Sequence, residues 1–148
     1  STAMTDKFFW RRKALNEMTP MEWESLCDGC AKCCLEKLED DDSGEITFTE
    51  VACRMLELES CRCREYARRL RFVPDCVSLR PGSVTRLKWI PSTCAYRLLA
   101  EGKDLPEWHP LVSGDAESVH RAGMSVRGRV VPGALAGELE DHAVTWPE

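Results

Sequence analysis

Cys27-Asp28-Gly29-Cys30-Ala31-Lys32-Cys33-Cys34 places four thiols within eight residues. Thiolates at three-residue steps can converge on one point, and a metal ion or an iron–sulfur cluster is the usual reason for such convergence. Five more cysteines follow: Cys53, Cys61, Cys63, Cys76 and Cys94. All nine are candidate metal ligands. A disulfide or redox-thiol array is the competing use, but an odd count leaves one thiol unpaired. The N-terminus lacks a secretory apolar region, since Phe8-Phe9-Trp10 is followed at once by Arg11-Arg12-Lys13. The chain is therefore expected in the reducing cytoplasm, where structural disulfides are rare. Reduced thiols this dense repel one another as thiolates unless a cation neutralises them, which favours metal.

Two chemistries compete for these ligands. Structural zinc takes four thiolates in a tetrahedron, commonly from two CxxC knuckles far apart in sequence. An iron–sulfur cubane takes three closely spaced thiolates and a remote fourth, and C-x2-C-x2-C is nearer that pattern. Cys27, Cys30 and Cys33 are expected on one centre, with Cys63 or Cys76 as the fourth ligand.

The surrounding chain limits what such a centre can serve. At 148 residues, 43% hydrophobic and 30% charged, it has the composition of one globular domain. The domain is read as 4–148, with Ser1-Thr2-Ala3 a remnant of expression and about 132–148 a peripheral tail of small and acidic residues. No apolar run approaches the roughly 20 residues of a membrane span. A net charge of −5 argues against a nucleic-acid partner; Arg62, Arg64, Arg68, Arg69 and Arg71 would spread around a helix rather than form a stripe. Glu39-Asp40-Asp41-Asp42 lacks the order of a calcium loop and reads as solvated. No nucleotide-binding or nucleophile-elbow motif is present.

Local signals place the motifs on elements. Thr19-Pro20-Met21-Glu22 has the form of a capping box with proline at the first helical position, and Asp28-Gly29 breaks that helix as the cysteines begin. Cys33 and Cys34, being adjacent, point in different directions: one of them restarts a helix through Leu35 and Leu38, or the two serve different centres. Glu45 to Thr49 alternates as a brief strand, after which Thr49 caps a helix over Val51, Ala52, Met55 and Leu56. A helix around Cys63 runs through Tyr66 and Leu70. Another covers Cys94 to about Ala100, stopped by Gly102. Met124 to Val131 reads as a strand. His109 is expected to be a packed loop residue, and His120 and His142 surface residues.

Glu24-Ser25-Leu26-Cys27-Asp28-Gly29-Cys30 leading into Cys33-Cys34 resembles the start of the bacterial YcgN-like proteins. These belong to the wider CxxCxxCC family, named for a proposed ability to chelate zinc or iron. The likeness continues through Val51-Ala52-Cys53-Arg54, Cys61-Arg62-Cys63-Arg64-Glu65-Tyr66, Pro74-Asp75-Cys76, Thr93-Cys94-Ala95-Tyr96-Arg97-Leu98-Leu99 and Trp108-His109-Pro110-Leu111. The wider family has C-x2-Y-x2-R-P before a later cysteine. Cys63, Tyr66 and Arg69 keep that spacing, but Leu70 replaces the proline and the next cysteine is delayed to Cys76. Flagellin lysine methylases share the cysteine run and imply iron–sulfur chemistry. Their likeness ends at the motif, so methyl transfer is not carried over. Tyr66 and Arg69, one helical turn apart, are candidates to hold a cofactor or anion, against a plain aromatic–arginine contact.

The expected molecule is α+β: small, mainly helical, with one or two short β-strand pairs, organised around a cysteine-ligated centre of zinc or iron. Three roles stay open. One is a binding module with a protein partner, another an iron–sulfur electron-transfer enzyme or accessory, and the third a thiol-redox sensor.

Overall fold

A computed structural model describes residues 8–73, 79–84 and 89–147. Its most extended element is a β-hairpin. Strand β1 (Leu35–Glu39) pairs antiparallel with β2 (Ile46–Ala52), with Lys37 opposite Phe48 and Leu35 opposite Ala52, and a bulge between Leu35 and Lys37. The acidic loop between them is a turn built by Asp40, whose carboxylate accepts the Asp42 and Ser43 amides at 2.9 Å each. Gly44 supplies the positive φ of +74° that the reversal needs. β2 is rich in β-branched and aromatic residues and buries Phe48, Thr49, Val51 and Ala52. It also pairs in parallel with β5 (Val131–Pro132) and antiparallel with β6 (Ala143–Val144). A second, two-stranded ladder joins β3 (Leu56–Glu57) to β4 (Arg62–Cys63).

The helices are one or two turns long. They are α1 (Pro20–Ser25), α2 (Arg69–Phe72), α3 (Pro81–Val84), α4 (Ala95–Ala100), α5 (Pro110–Ser113), α6 (Ser118–Arg121) and α7 (Gly133–Ala136). The capping box forms as read: the Glu22 amide donates to Thr19 Oγ1 at 3.1 Å, and the Thr19 amide donates to Glu22 Oε1 at 2.9 Å. The α+β class holds, with a sheet rather than a helical bundle as the largest unit.

Several local expectations change. Leu35 and Leu38 lie in β1, so Cys33 and Cys34 close a 3₁₀ turn that leads into a strand rather than a longer helix. Thr49 caps no helix; β2 continues through Ala52 and Leu56 sits in β3. Cys63 is in β4, and the helical segment begins only at Tyr66. Of the stretch from Met124 to Val131, only Val131 is in a strand. Residues 132–148, expected at the periphery, contribute β6 to the main sheet, and Trp146 packs on the apolar cluster beneath it.

Two apolar cores result. One gathers Phe9, Trp10, Leu26, Val84, Ile90, Ala95, Tyr96 and Leu105. The other gathers Ala31, Leu35, Phe48, Ala52, Leu56, Cys61 and Val126 beneath the sheet. Trp89 packs against both. The cysteine loop therefore starts from one core at Leu26 and enters the other at Ala31.

Candidate metal centre

The loop is pinned at both ends. His109, fully buried, binds the Leu26 carbonyl through Nε2 at 2.7 Å while its Nδ1 accepts the Leu111 amide at 3.0 Å. Both ring nitrogens are thus used in holding the residue before Cys27, and this packed role is the one expected of it. Past the turn, Cys30 O accepts the Val126 amide at 3.0 Å and Cys34 O accepts the Cys53 amide at 2.8 Å. Between these anchors Gly29 (φ +82°) and Ala31 (φ +64°) adopt left-handed backbone, and Lys32–Cys34 forms one 3₁₀ turn. The two reversals fold the loop so that Cys27, Cys30, Cys33 and Cys34 all border one cavity. Cys94, at the start of α4, faces them from the other half of the chain.

Electrostatics locates the gathering. A Cys33 thiolate repels those of Cys27, Cys30 and Cys94, and Cys94 in turn repels Cys27. Burial chiefly pushes the Cys27 thiol up to about 12 and the Cys94 thiol up to about 11, and it holds Cys30 well above the ordinary range. Cys27 opens onto a cavity yet lies well inside the protein envelope, so its thiolate loses bulk hydration. Cys33 goes the other way, down to about 7, because the Cys34 thiol donates to it; burial opposes this and the Lys37 ammonium assists. Backbone amides are aimed at the same sulfurs: Gly29 at Cys27, Lys32 at Cys30, and Tyr96 and Arg97 at Cys94. Such donors stabilise sulfur only as it becomes anionic.

These four thiols, each with a backbone amide donor, have the chemistry of a soft-metal site rather than of an oxygen-lined calcium or magnesium site. Among the described residues, no three histidine, cysteine or carboxylate side chains already stand close enough to grip one ion. The eight described cysteines are all free thiols.

Of the other candidate ligands, Cys34, Cys61 and Cys63 border the same cavity. Cys34 sits behind Cys33 as its donor. Cys53 lies just past β2, and its amide is spent on Cys34. Cys61 is buried in the second core beside Ser125. Cys63 reaches the same cavity as the quartet from β4. Cys76 lies outside the described residues. The cysteine from the far half of the chain that is electrostatically coupled to Cys27 and Cys33 is Cys94. Sequence reading placed it inside a helix, whereas it occupies the N-cap, where α4 turns its first free amides on the sulfur.

Tyr66 and Arg69 make the plain contact. The guanidinium lies 4.2 Å from the ring centroid and donates to Tyr66 O at 2.8 Å, while the Tyr66 hydroxyl donates to Glu24 at 2.7 Å. Both residues line the cavity, which has a volume of about 870 Å³ and is walled by the quartet together with Trp23, Trp89 and Tyr96. His120 binds Ser125, the neighbour of Cys61, and His142 binds Glu50, each at 2.7 Å.

The comparisons with known proteins converge on this region. Residues 26–95 match the family model CxxCxxCC, "Putative zinc- or iron-chelating domain". A UPF0260 protein of Granulibacter bethesdensis is 58% identical over 139 residues, spanning 94% of this chain and 84% of its own. The chain belongs to the UPF0260 family. A second member, from Rhodopseudomonas palustris, is 59% identical over 144 residues, covering 95% of this chain and 85% of its own. A UPF0260 protein of Sinorhizobium fredii is 58% identical over 146 residues, covering 97% and 94%. No solved structure matches the chain. The segment matched by the chelating-domain model opens one residue before Cys27 and closes one residue after Cys94. Among the described residues of this UPF0260 protein, no helix is long and apolar enough to cross a membrane.

Proposed function

We propose that this UPF0260 chain holds a single zinc or iron centre through Cys27, Cys30, Cys33 and Cys94. The observation that carries the reading is that these four cysteines, from two halves of the chain, line one cavity with their thiols electrostatically coupled. The donor chemistry supports it, as does a matched family segment that brackets the same cysteines. Zinc would supply a fixed tetrahedral cross-link, and an iron–sulfur cluster would supply one-electron chemistry. In either case the residues present do the same work. His109 fixes the entry to the loop, Gly29 and Ala31 turn it, and the amides of Gly29, Lys32, Tyr96 and Arg97 stabilise anionic sulfur. A cytoplasmic location belongs to this reading, because the thiols must stay reduced to bind.

One observation favours iron and a substrate over a purely structural ion. The adjoining cavity of about 870 Å³ falls in the size range of small-molecule sites, far beyond the needs of one metal ion. An iron–sulfur centre beside it would exchange electrons with a bound molecule.

The test is elemental and sulfide analysis of protein expressed and kept anaerobic and reduced. At least one zinc or iron per chain is expected, and Cys30→Ser and Cys94→Ser should each abolish it while Cys53→Ser and Cys61→Ser retain it. Acid-labile sulfide identifies the cluster; stoichiometric zinc without sulfide identifies the structural ion. Reduced, folded, metal-free wild type, or a Cys94→Ser variant that loads normally, overturns the proposal.

A further inference from the structure

Lys32 stands between Cys30 and Cys33, yet it is 3% exposed. Its side chain crosses to the other half of the site, where Nζ donates to Thr93 Oγ1 at 3.0 Å, next to Cys94. Among the described residues it forms no ion pair. The buried acid of the same loop, Asp28, instead accepts the Cys30 amide at 3.0 Å. An ammonium taken out of water and met by one neutral hydroxyl is costly, and buried cations are ordinarily matched by an anion. The described side chains leave that anion unaccounted for at Lys32, and the four thiols supply it once loaded. A divalent ion held by four thiolates carries a net charge of roughly −2, and a cubane with four thiolates is anionic as well.

We propose that Lys32 is the built-in counter-charge of the loaded cysteine centre, selecting an occupant that leaves the site net negative. This rests on the quartet reading above. Lys32 is a positioning residue in this account: its amide donates to Cys30 and Thr93 holds its ammonium on the Cys94 side, Lys37 being the second cation, which acts on Cys33.

The experiment uses the full chain, reduced and anaerobic, with Zn²⁺ affinity measured by competition against a chromophoric chelator. The thiolate-to-metal absorption of the Co²⁺ form gives a second readout. Lys32→Met should lose about 10- to 100-fold in zinc affinity, the usual cost of removing a partner outside the ligand shell. Its metal-free melting temperature should equal or exceed that of wild type, because a buried thioether costs less than a buried ammonium. Lys32→Gln provides a second neutral variant should the first not fold. Lys32→Arg, which keeps the charge, should retain the affinity and the Co²⁺ spectrum. Thr93→Val removes the hydrogen bond and leaves the charge. It should bind zinc within about threefold of wild type, since that bond is lost from metal-free and loaded protein alike. Wild-type affinity in Lys32→Met, or an equal loss in Thr93→Val, overturns the counter-charge. Wild type that binds neither metal refutes the centre itself, an outcome readable apart from the other two.

Discussion

Gly29 holds φ at +82° with nothing within 4 Å of where a Cβ would stand. An alanine there would meet no neighbour, so its whole cost is backbone. Left-handed conformation penalises an L-residue by roughly 1–2 kcal/mol, and Gly29→Ala should lower the urea stability of the metal-free protein by about that amount. Relaxation of φ would also swing the Gly29 amide away from Cys27 and so weaken metal uptake. An unchanged urea midpoint would mean the turn is not held by this residue. The spacing of the cysteines and the break at Asp28-Gly29 are legible in sequence because both are local. The identity of the fourth cysteine is not. Cys63 and Cys76 are nearer in sequence, and only the packing of α4 against the first core brings Cys94 to the loop. Lys32 leaves no sequence signal either, because a lysine between two cysteines looks like any solvated lysine until tertiary contacts bury it.

Among the elements, β2 departs furthest from its local pattern. Val51, Ala52, Met55 and Leu56 recur at helical spacing and predict a helix after Thr49, where the fold has β2 and β3. In the fold, Phe48, Thr49, Val51 and Ala52 are consecutive or nearly so and all buried, so both faces of the strand are covered and the alternation vanishes. Part of that cover comes from the C-terminal segment, where His142 bridges Glu50 and the Ala136 carbonyl at 2.7 Å each. The hydrogen bond to the Glu50 carboxylate, and then the one to Ala136 O, raise the His142 pKa above its ordinary value. A raised folded pKa gives a contribution fully present below the unfolded value of roughly 6.5 and lost as pH rises through the folded pKa. The unfolding free-energy difference between wild type and His142→Ala should therefore be larger near about pH 5.5 than near about pH 8.5. A difference that ignores pH would show that the bridge carries no charge.

Across the whole molecule, the quartet occupies the seam between two cores that share Trp89. Binding free energy at such a site is also folding free energy, on the order of 10 kcal/mol for structural zinc in small peptides. Its loss should be felt at the seam before it is felt in the sheet. Hydrogen exchange compared before and after chelation should show the amides of 27–34 and 94–100 losing protection first. β2 and β6 should keep theirs, since their ladder and the cluster around Phe48 do not include the metal. Equal protection in both states would mean the centre does not join the halves, and uniform loosening would mean the two cores melt as one.

Lys32 and Thr93, which touch across the site, are separated by 61 positions in the chain. On a ribosome adding about 5–20 residues per second, the first three sulfurs are finished roughly 3–12 s before the fourth. A nascent chain in that interval offers an incomplete, exchangeable thiol set, open to capture and release of metal. In the proposed centre, secure retention would wait until α4 has been made and has docked. The order of synthesis would become an order of assembly, with Cys94 as the latch.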